Sequence, residues 1–212
     1  MSIDVVLARV AAACERAGRT PAEVTVVGVT KYADVDGARA LVAAGVVDLG
    51  ENHAQQLRDR VAEVPGARWH FIGPLQRNKA KHVAALAVAF HALDRVEVAA
   101  ALDDRRPPGE ALDCYIQVNL AGEATKAGVA EAEVAPLLAA CASLDGIRVV
   151  GLMAMPPLAS SPEDSRPWFR TLAALAQDHG LAGLSMGTTA DFEVAIEEGA
   201  TAVRVGSAFF AR

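Results

Sequence analysis

VTVVGVTK, residues 24–31, is a short apolar run that ends on a lysine. Its β-branched residues and its length suit a buried strand better than a helix. A helical pattern at 34–44 follows, closed by Gly45, and a second strand pattern covers 46–49. The chain therefore starts an alternation of strand and helix at this stretch, which is typical of a parallel sheet.

The same alternation continues along the chain, after a helical stripe from Ile3 to Ala17. Further strands are predicted at 69–72, 88–92, 112–119, 147–153, 184–186 and 202–205, and further helices at 53–64, 78–86, 96–102, 132–141, 165–179 and 191–198. This pattern predicts an α/β fold, a single (β/α)8 TIM-type barrel with an extra N-terminal helix, in one domain over residues 1–212. An open doubly wound sheet is the alternative, although no GxGxxG motif follows the first strand.

The composition excludes several classes of protein. The 212 residues are 52% hydrophobic and 5% aromatic, with a net charge of −6, which argues against a dedicated nucleic-acid binder. No apolar run reaches the roughly 20 residues of a membrane span, and the N-terminus does not resemble a signal peptide. Cys14, Cys114 and Cys141 are odd in number and far apart. We therefore expect a cytoplasmic protein whose cysteines stay reduced.

The lysine that ends the first strand is a candidate nucleophile. Active sites of barrels lie at the carboxyl ends of the strands. Lys31 follows an apolar strand, where partial desolvation favours a neutral amine that forms a Schiff base with a carbonyl group. A surface lysine that merely flanks a strand explains the same position equally well.

Two glycine-rich turns follow the last two predicted strands. TAVRVGSAFF at 201–210 places Gly206 and Ser207 after the final strand, and SMGTT at 185–189 offers further hydroxyls. Backbone amides and hydroxyls of this kind bind phosphate, and barrels often bind it with the loops after strands 7 and 8. Ordinary tight turns are the alternative. Together with the lysine, the turns suggest an aldehyde or ketone that carries a phosphate.

Other polar residues are less decisive. Arg204 lies two residues before Gly206 and so faces the same side of its strand, where a buried guanidinium needs either a ligand or a core carboxylate as acceptor. Glu51 is a candidate general base or a helix cap. The histidines are His53, His70, His82, His91 and His179. Their spacing matches no zinc motif, so no metal site is predicted.

Seven motifs occur in order along the chain: GVTK at 28–31, GENHAQQL at 50–57, WHFIGPLQRNK at 69–79, QVNLAGEATKAG at 117–128, GLMAM at 151–155, LSMGTTADFEVAIEEG at 184–199 and VRVGSAFF at 203–210. With these motifs the sequence resembles the pyridoxal phosphate homeostasis proteins (the YggS/PROSC family), which are similar to the N-terminal barrel of alanine racemase. The resemblance runs from the opening helix to the last residue.

The resemblance implies a barrel that holds pyridoxal 5′-phosphate (PLP) through a Schiff base on Lys31. It implies that the phosphate lies against Gly206, Ser207 and the hydroxyl of Thr189, and that Arg204 faces the pyridine nitrogen. An arginine there keeps that nitrogen unprotonated, so the ring is a poorer electron sink. The other residues implied to bind the cofactor are Asn52, His70, Asn119, Met153, Ser185, Met186 and Gly187.

Two segments of the sequence depart from the family pattern. Thr188 stands where the family commonly has a methionine, in SMGMS, while Thr189 keeps a hydroxyl at the phosphate position. Tyr32, Ala33 and Asp34 stand where the family often has Thr-Lys-Pro. The second lysine proposed to receive the cofactor in some members is therefore absent at that place.

The functional expectation is a carrier that maintains intracellular vitamin B6 (PLP) homeostasis without strong catalysis, with apo PLP-dependent enzymes as recipients. The sequence ends at Arg212, directly after the last predicted strand, so we expect no second domain to supply the second acid–base group of a racemase. The alternatives are an amino-acid racemase with Lys31 as its single base and a class I aldolase without a cofactor. The resemblance favours a monomer, and the apolar outer helices leave a dimer open.

Overall fold

The computed structural model describes residues 3–31, 33–123 and 125–210. Tyr32 and Arg212, which the sequence analysis singled out, lie outside these ranges. The helices are α1 Ile3–Arg16, α2 Val35–Ala43, α3 Ala54–Glu63, α4 Ala80–Leu86, α5 Val96–Asp103, α6 Val134–Cys141, α7 Arg166–Asp178, α8 Phe192–Glu197 and α9 Ser207–Phe210. The strands are β1 Thr25–Val29, β2 Asp48–Glu51, β3 Arg68–Phe71, β4 Ala89–Leu93, β5 Leu112–Val118, β6 Ile147–Ala154, β7 Gly183–Thr188 and β8 Ala202–Val205.

The eight strands form one closed barrel in chain order. Each strand pairs in parallel with its neighbours in sequence, and β8 closes the sheet on β1 through the pairs Val27 with Arg204 and Gly28 with Val205. The predicted TIM-type α/β barrel is therefore confirmed, and the open doubly wound sheet is wrong. Closure brings the ends of β1, β7 and β8 together at one rim, which is the arrangement that a site shared by these strands requires.

The predicted elements agree with the structure except at their ends. The second strand, predicted at 46–49, occupies Asp48–Glu51. The amide of Val46 instead donates to the carbonyl of Leu41 at 3.0 Å, so this residue completes the cap of α2. The short helix α9 was not predicted, because a four-residue helix is too short for an apolar period to show.

The helices cover the sheet with apolar faces. Leu41 of α2, Leu57 of α3 and Phe169 of α7 are fully buried. The first helix lies against α8, where Arg9 pairs with Glu193. No helix within the described ranges is long and apolar enough to cross a membrane.

Candidate functional site

A cavity of about 780 Å³ opens at the carboxyl ends of the strands. This volume suits a small organic ligand. Its lining includes the predicted residues Lys31, Asn52, Thr189, Arg204, Gly206 and Ser207, and also Val29, Ile72, Gly73, Pro74, Met155, Thr188, Ala190 and Phe210. The barrel therefore brings the candidate amine, the two glycine-rich turns and the buried arginine to one cavity.

The segment that carries Lys31 is tied to the end of β2. The amide of Thr30 donates to the carbonyl of Gly50 at 3.0 Å. The hydroxyl of Thr30 donates to Oε1 of Glu51 at 2.6 Å. On the far side of the lysine, Arg60 of α3 donates to the carbonyl of Ala33. These contacts on both sides hold the lysine at the rim of the cavity.

Glu51 is placed differently from both sequence interpretations. It is the last residue of β2 rather than a helix cap, and it is fully buried, whereas Asn52, the next residue in sequence, lines the cavity. Burial raises the pKa of its carboxyl group, against the lowering effects of Thr30 and Arg60. Its Oε1 lies 3.3 Å from Nη1 of Arg60. Glu51 thus anchors the lysine segment and does not line the cavity.

The turns after β7 and β8 are joined to each other. The amide of Gly206 donates to Oγ1 of Thr189 at 3.1 Å, so the residues implied to hold a phosphate are neighbours in space. Gly187 shapes this rim, because its φ is +87° and a Cβ there would lie 2.4 Å from Cβ of Ala195. Thr188 turns its hydroxyl to Oδ1 of Asp191 at 3.1 Å.

Arg204 is a buried cation at the floor of the cavity. Its side chain donates to Oγ of Ser185, to the carbonyl of Ala154 at 3.1 Å and to Sδ of Met155 at 3.1 Å. Burial lowers the pKa of Arg204 to about 10. Among the described residues no carboxylate lies within ion-pair distance of this guanidinium, so the direct ion pair of the core-carboxylate alternative is not formed, although the charge of Asp191 raises the pKa of Arg204 against the effect of burial.

Other predicted site residues do not line the cavity; these are His70, Asn119, Met153, Ser185, Met186 and Gly187. The side-chain amide of Asn119 donates to the carbonyl of Glu123 at 2.9 Å and holds the loop after β5. Met153 is buried within β6, and Met155, two residues further along, reaches the cavity instead. Sequence reasoning missed Met155 although it stands in the quoted GLMAM motif, because the motif does not reveal how far β6 extends.

His70 and Ser185 lie inside the barrel, in hydrogen bonds to other buried side chains. Nδ1 of His70 is 2.8 Å from Nε2 of His91, and Nδ1 of His91 is 2.7 Å from Oγ of Ser185. Because Ser185 also accepts from Arg204, these residues contact the cavity through that arginine. Within the described part of the chain, no three His, Cys, Asp or Glu side chains cluster as a metal site would need.

The barrel, its rim lysine and its β7–β8 turns define a class of protein. The family described as "Alanine racemase, N-terminal domain" matches residues 6–211, and the chain belongs to it.

Relatives narrow this class further. The chain is 40% identical over 212 residues to the pyridoxal phosphate homeostasis protein of Deinococcus radiodurans, covering 100% of both chains. It is 39% identical to that of Pseudomonas aeruginosa, covering 99% of this chain and 93% of the relative. The chain is therefore a member of the pyridoxal phosphate homeostasis family.

A solved structure shows the same fold. PipY of Synechococcus elongatus PCC7942, determined with PLP bound, superposes with a TM-score of 0.83 at 28% identity, covering 95% of this chain and 100% of that one. The resemblance stated from the motifs is thereby confirmed at the level of fold and family.

Proposed function

We propose that the protein binds PLP through Lys31 and maintains its level in the cell, acting as a carrier rather than a strong catalyst. The observation that carries this proposal is the meeting of Lys31, Arg204 and the bonded pair Thr189 and Gly206 at one cavity. The proposal treats residues 1–212 as a single PLP-binding domain.

The residues present fit the cofactor. When bound, PLP supplies an aldehyde that condenses with an amine, releasing one water, and a pyridine ring that draws electrons. Nζ of Lys31 is the amine, and Oγ1 of Thr189 with the amide of Gly206 would hold the phosphate. The buried Oδ1 of Asn52 lacks a hydrogen-bond partner within the described residues and is available to a bound ligand. Apolar side chains of Val29, Ile72 and Phe210 line the same cavity and exclude water.

The positive charge of Arg204 favours a role in binding the cofactor over a role in catalysis. A guanidinium beside the pyridine nitrogen opposes a second positive charge there, so the nitrogen stays unprotonated. An unprotonated ring withdraws electrons less strongly from an attached substrate. Racemisation also needs acid and base groups on opposite faces of the substrate. Of the described residues that line the cavity, the ionisable ones are Lys31 and Arg204.

The finer parts of the proposal concern partners and location. The recipients of the cofactor would be apo PLP-dependent enzymes, the protein would act in the cytosol, and it would do so as a monomer. Cys14, Cys114 and Cys141 are unpaired and buried, which is compatible with a reducing compartment.

A titration with PLP tests the proposal. We expect wild-type protein to turn yellow and to develop a saturable visible absorption band. Lys31→Ala should lose that band, while Lys81→Ala, a change at an exposed position of α4, should keep it. An identical band and affinity in Lys31→Ala, or no band in the wild type, would contradict it.

A further inference from the structure

A chain of buried and partly buried hydrogen bonds crosses the interior of the barrel. Arg204 of β8 contacts Oγ of Ser185 on β7, which lies 2.7 Å from Nδ1 of His91 on β4. Nε2 of His91 lies 2.8 Å from Nδ1 of His70 on β3. Nε2 of His70 lies 2.9 Å from Oδ1 of Asp48, the first residue of β2. Five side chains from five strands thus connect the cavity to the opposite end of the barrel.

An ionised Asp48 and two neutral histidines together determine the direction of every bond. An ionised Asp48 only accepts, so His70 carries its proton on Nε2. A neutral His70 then accepts at Nδ1, which requires His91 to donate from Nε2. Nδ1 of a neutral His91 accepts in turn, so the hydroxyl of Ser185 donates to it.

The cavity end is compatible with the same direction. Arg204 has donors and no acceptor, so Oγ of Ser185 must accept from it. The remaining hydroxyl hydrogen of Ser185 is free to point at His91. All four links are therefore satisfied together by two neutral histidines, both protonated on Nε2.

We propose that Asp48, His70, His91 and Ser185 form a one-way hydrogen-bond chain that orients the guanidinium of Arg204 toward the ligand in the cavity. They are positioning residues, since the described cavity lining includes Arg204 and none of the four. This inference deepens the proposed function and rests on it for the identity of the ligand.

The surroundings of His91 favour its neutral form. His91 faces His70, Ser185 and Arg204, and the ring of Tyr115 from β5 stacks on it with centroids 4.6 Å apart. Burial, followed by the neighbouring His70 and Arg204, lowers the pKa of His91 well below its ordinary value.

His70 faces His91 on one side and Asp48 on the other, and Asp48 also pairs with Arg68 at 3.0 Å. An extra proton on His70 would reverse the chain, because His70 would then donate to His91 and His91 to Ser185. Oγ of Ser185 would receive two donors, and apart from His91 the described residues show no acceptor for its hydrogen. Protonation thus leaves the hydroxyl hydrogen of Ser185 without an acceptor among the described residues.

NMR of the protein without ligand tests the chain itself. In long-range proton–nitrogen spectra of ¹⁵N-histidine protein, we expect His70 and His91 as neutral Nε2–H tautomers at neutral pH. Single changes to glutamine assign the signals, and exposed His53 supplies a reference in the same spectrum. An Nδ1–H tautomer or an imidazolium at either position would overturn the inference, whether or not the protein binds PLP.

Two substitutions at one position test the positioning role. His91→Leu removes both links and should weaken PLP binding about tenfold, while His91→Gln keeps one donor and one acceptor and should weaken it less than about threefold. The dissociation constant of inorganic phosphate, obtained by competition with PLP, should be unchanged in both variants, because Arg204 is not among the residues proposed to hold the phosphate. PLP affinity equal to wild type in a folded His91→Leu, or an equal loss of phosphate competition, would overturn the role.

Discussion

The two sides of the cavity differ in how their polar groups are paired. On the recognition side, formed by Thr189, Arg204 and Gly206, the polar groups already bond to protein atoms. On the attachment side, formed by Lys31 and Asn52, Oδ1 of Asn52 has no partner in the described part of the chain. One side is therefore preorganised before a ligand arrives, and the other is completed by it.

This difference means that recognition and covalent attachment are separable properties of one cavity. The recognition side sits on two paired strands whose turns are bonded to each other. The attachment side contributes a reactive amine on a segment held by Thr30 and Arg60.

The largest effect should come from removing the amine. Lys31→Ala should weaken PLP binding by about a hundredfold, equal to about 2.7 kcal/mol, because the covalent bond is lost. Pyridoxine 5′-phosphate, which has an alcohol in place of the aldehyde, should bind the variant within about twofold of wild type. Calorimetric titration of both ligands measures the two effects. Equal losses for both ligands would show that the two sides are not separable.

A backbone change should break the recognition side next. Gly187→Ala places a Cβ 2.4 Å from that of Ala195 at a φ of +87°, and should lower the free energy of unfolding by about 2 kcal/mol. Gly180→Ala is the matched control, since its φ is +66° but nothing lies within 4 Å of the added Cβ. Urea denaturation compares them. If both variants lose the same stability, crowding at the β7 rim is not the cause.

The pH dependence of stability sharpens the description of the buried interior. Because the pKa of His91 is lowered in the fold, its contribution to stability is present above about pH 6.5 and is lost as pH falls. The unfolded chain takes up this proton, at a cost of about 1.4 kcal/mol per pH unit below that point. The raised pKa of Glu51 acts in the opposite sense, with stability lost as pH rises through its folded pKa.

Denaturation of wild type and His91→Gln between pH 7.5 and 5 isolates the histidine, since Glu51 is common to both proteins. The difference in unfolding free energy should shift in favour of the variant as pH falls. A difference that stays constant with pH would indicate that His91 has the same pKa in the folded and unfolded protein, which contradicts the expected lowering.

The smallest effect concerns a single hydroxyl. Thr189→Val removes the acceptor of the Gly206 amide and should weaken binding of pyridoxine 5′-phosphate by about 1 kcal/mol, close to fivefold. Pyridoxine without the phosphate should show no change. Thr171→Val, on the exposed face of α7, provides a control for the substitution itself. Loss of pyridoxine binding would place Thr189 against the ring rather than the phosphate.

Much of this site could be predicted because parallel strands align their carboxyl ends. Residues just after β1, β2, β7 and β8 meet at one rim, so strand order indicated Lys31 and Gly206, and the family resemblance added Asn52 and Thr189. The prediction that Met153 lines the site fails, because β6 extends to Ala154 and Met155 reaches the cavity instead.

The hydrogen-bond chain inside the barrel could not be predicted from the sequence, for a different reason. His91 and Ser185 are 94 residues apart and lie on strands that are not neighbours in the sheet. Their contact depends on closure of the barrel, and no local spacing in the sequence records it.

Peptide mapping after borohydride reduction tests the central claim most directly. Protein incubated with PLP, reduced and digested should carry one pyridoxyl group on the peptide that contains Lys31, and Lys31→Ala should carry none there. A pyridoxyl group confined to another lysine, or none after saturating PLP, would contradict the assignment of Lys31 as the attachment residue.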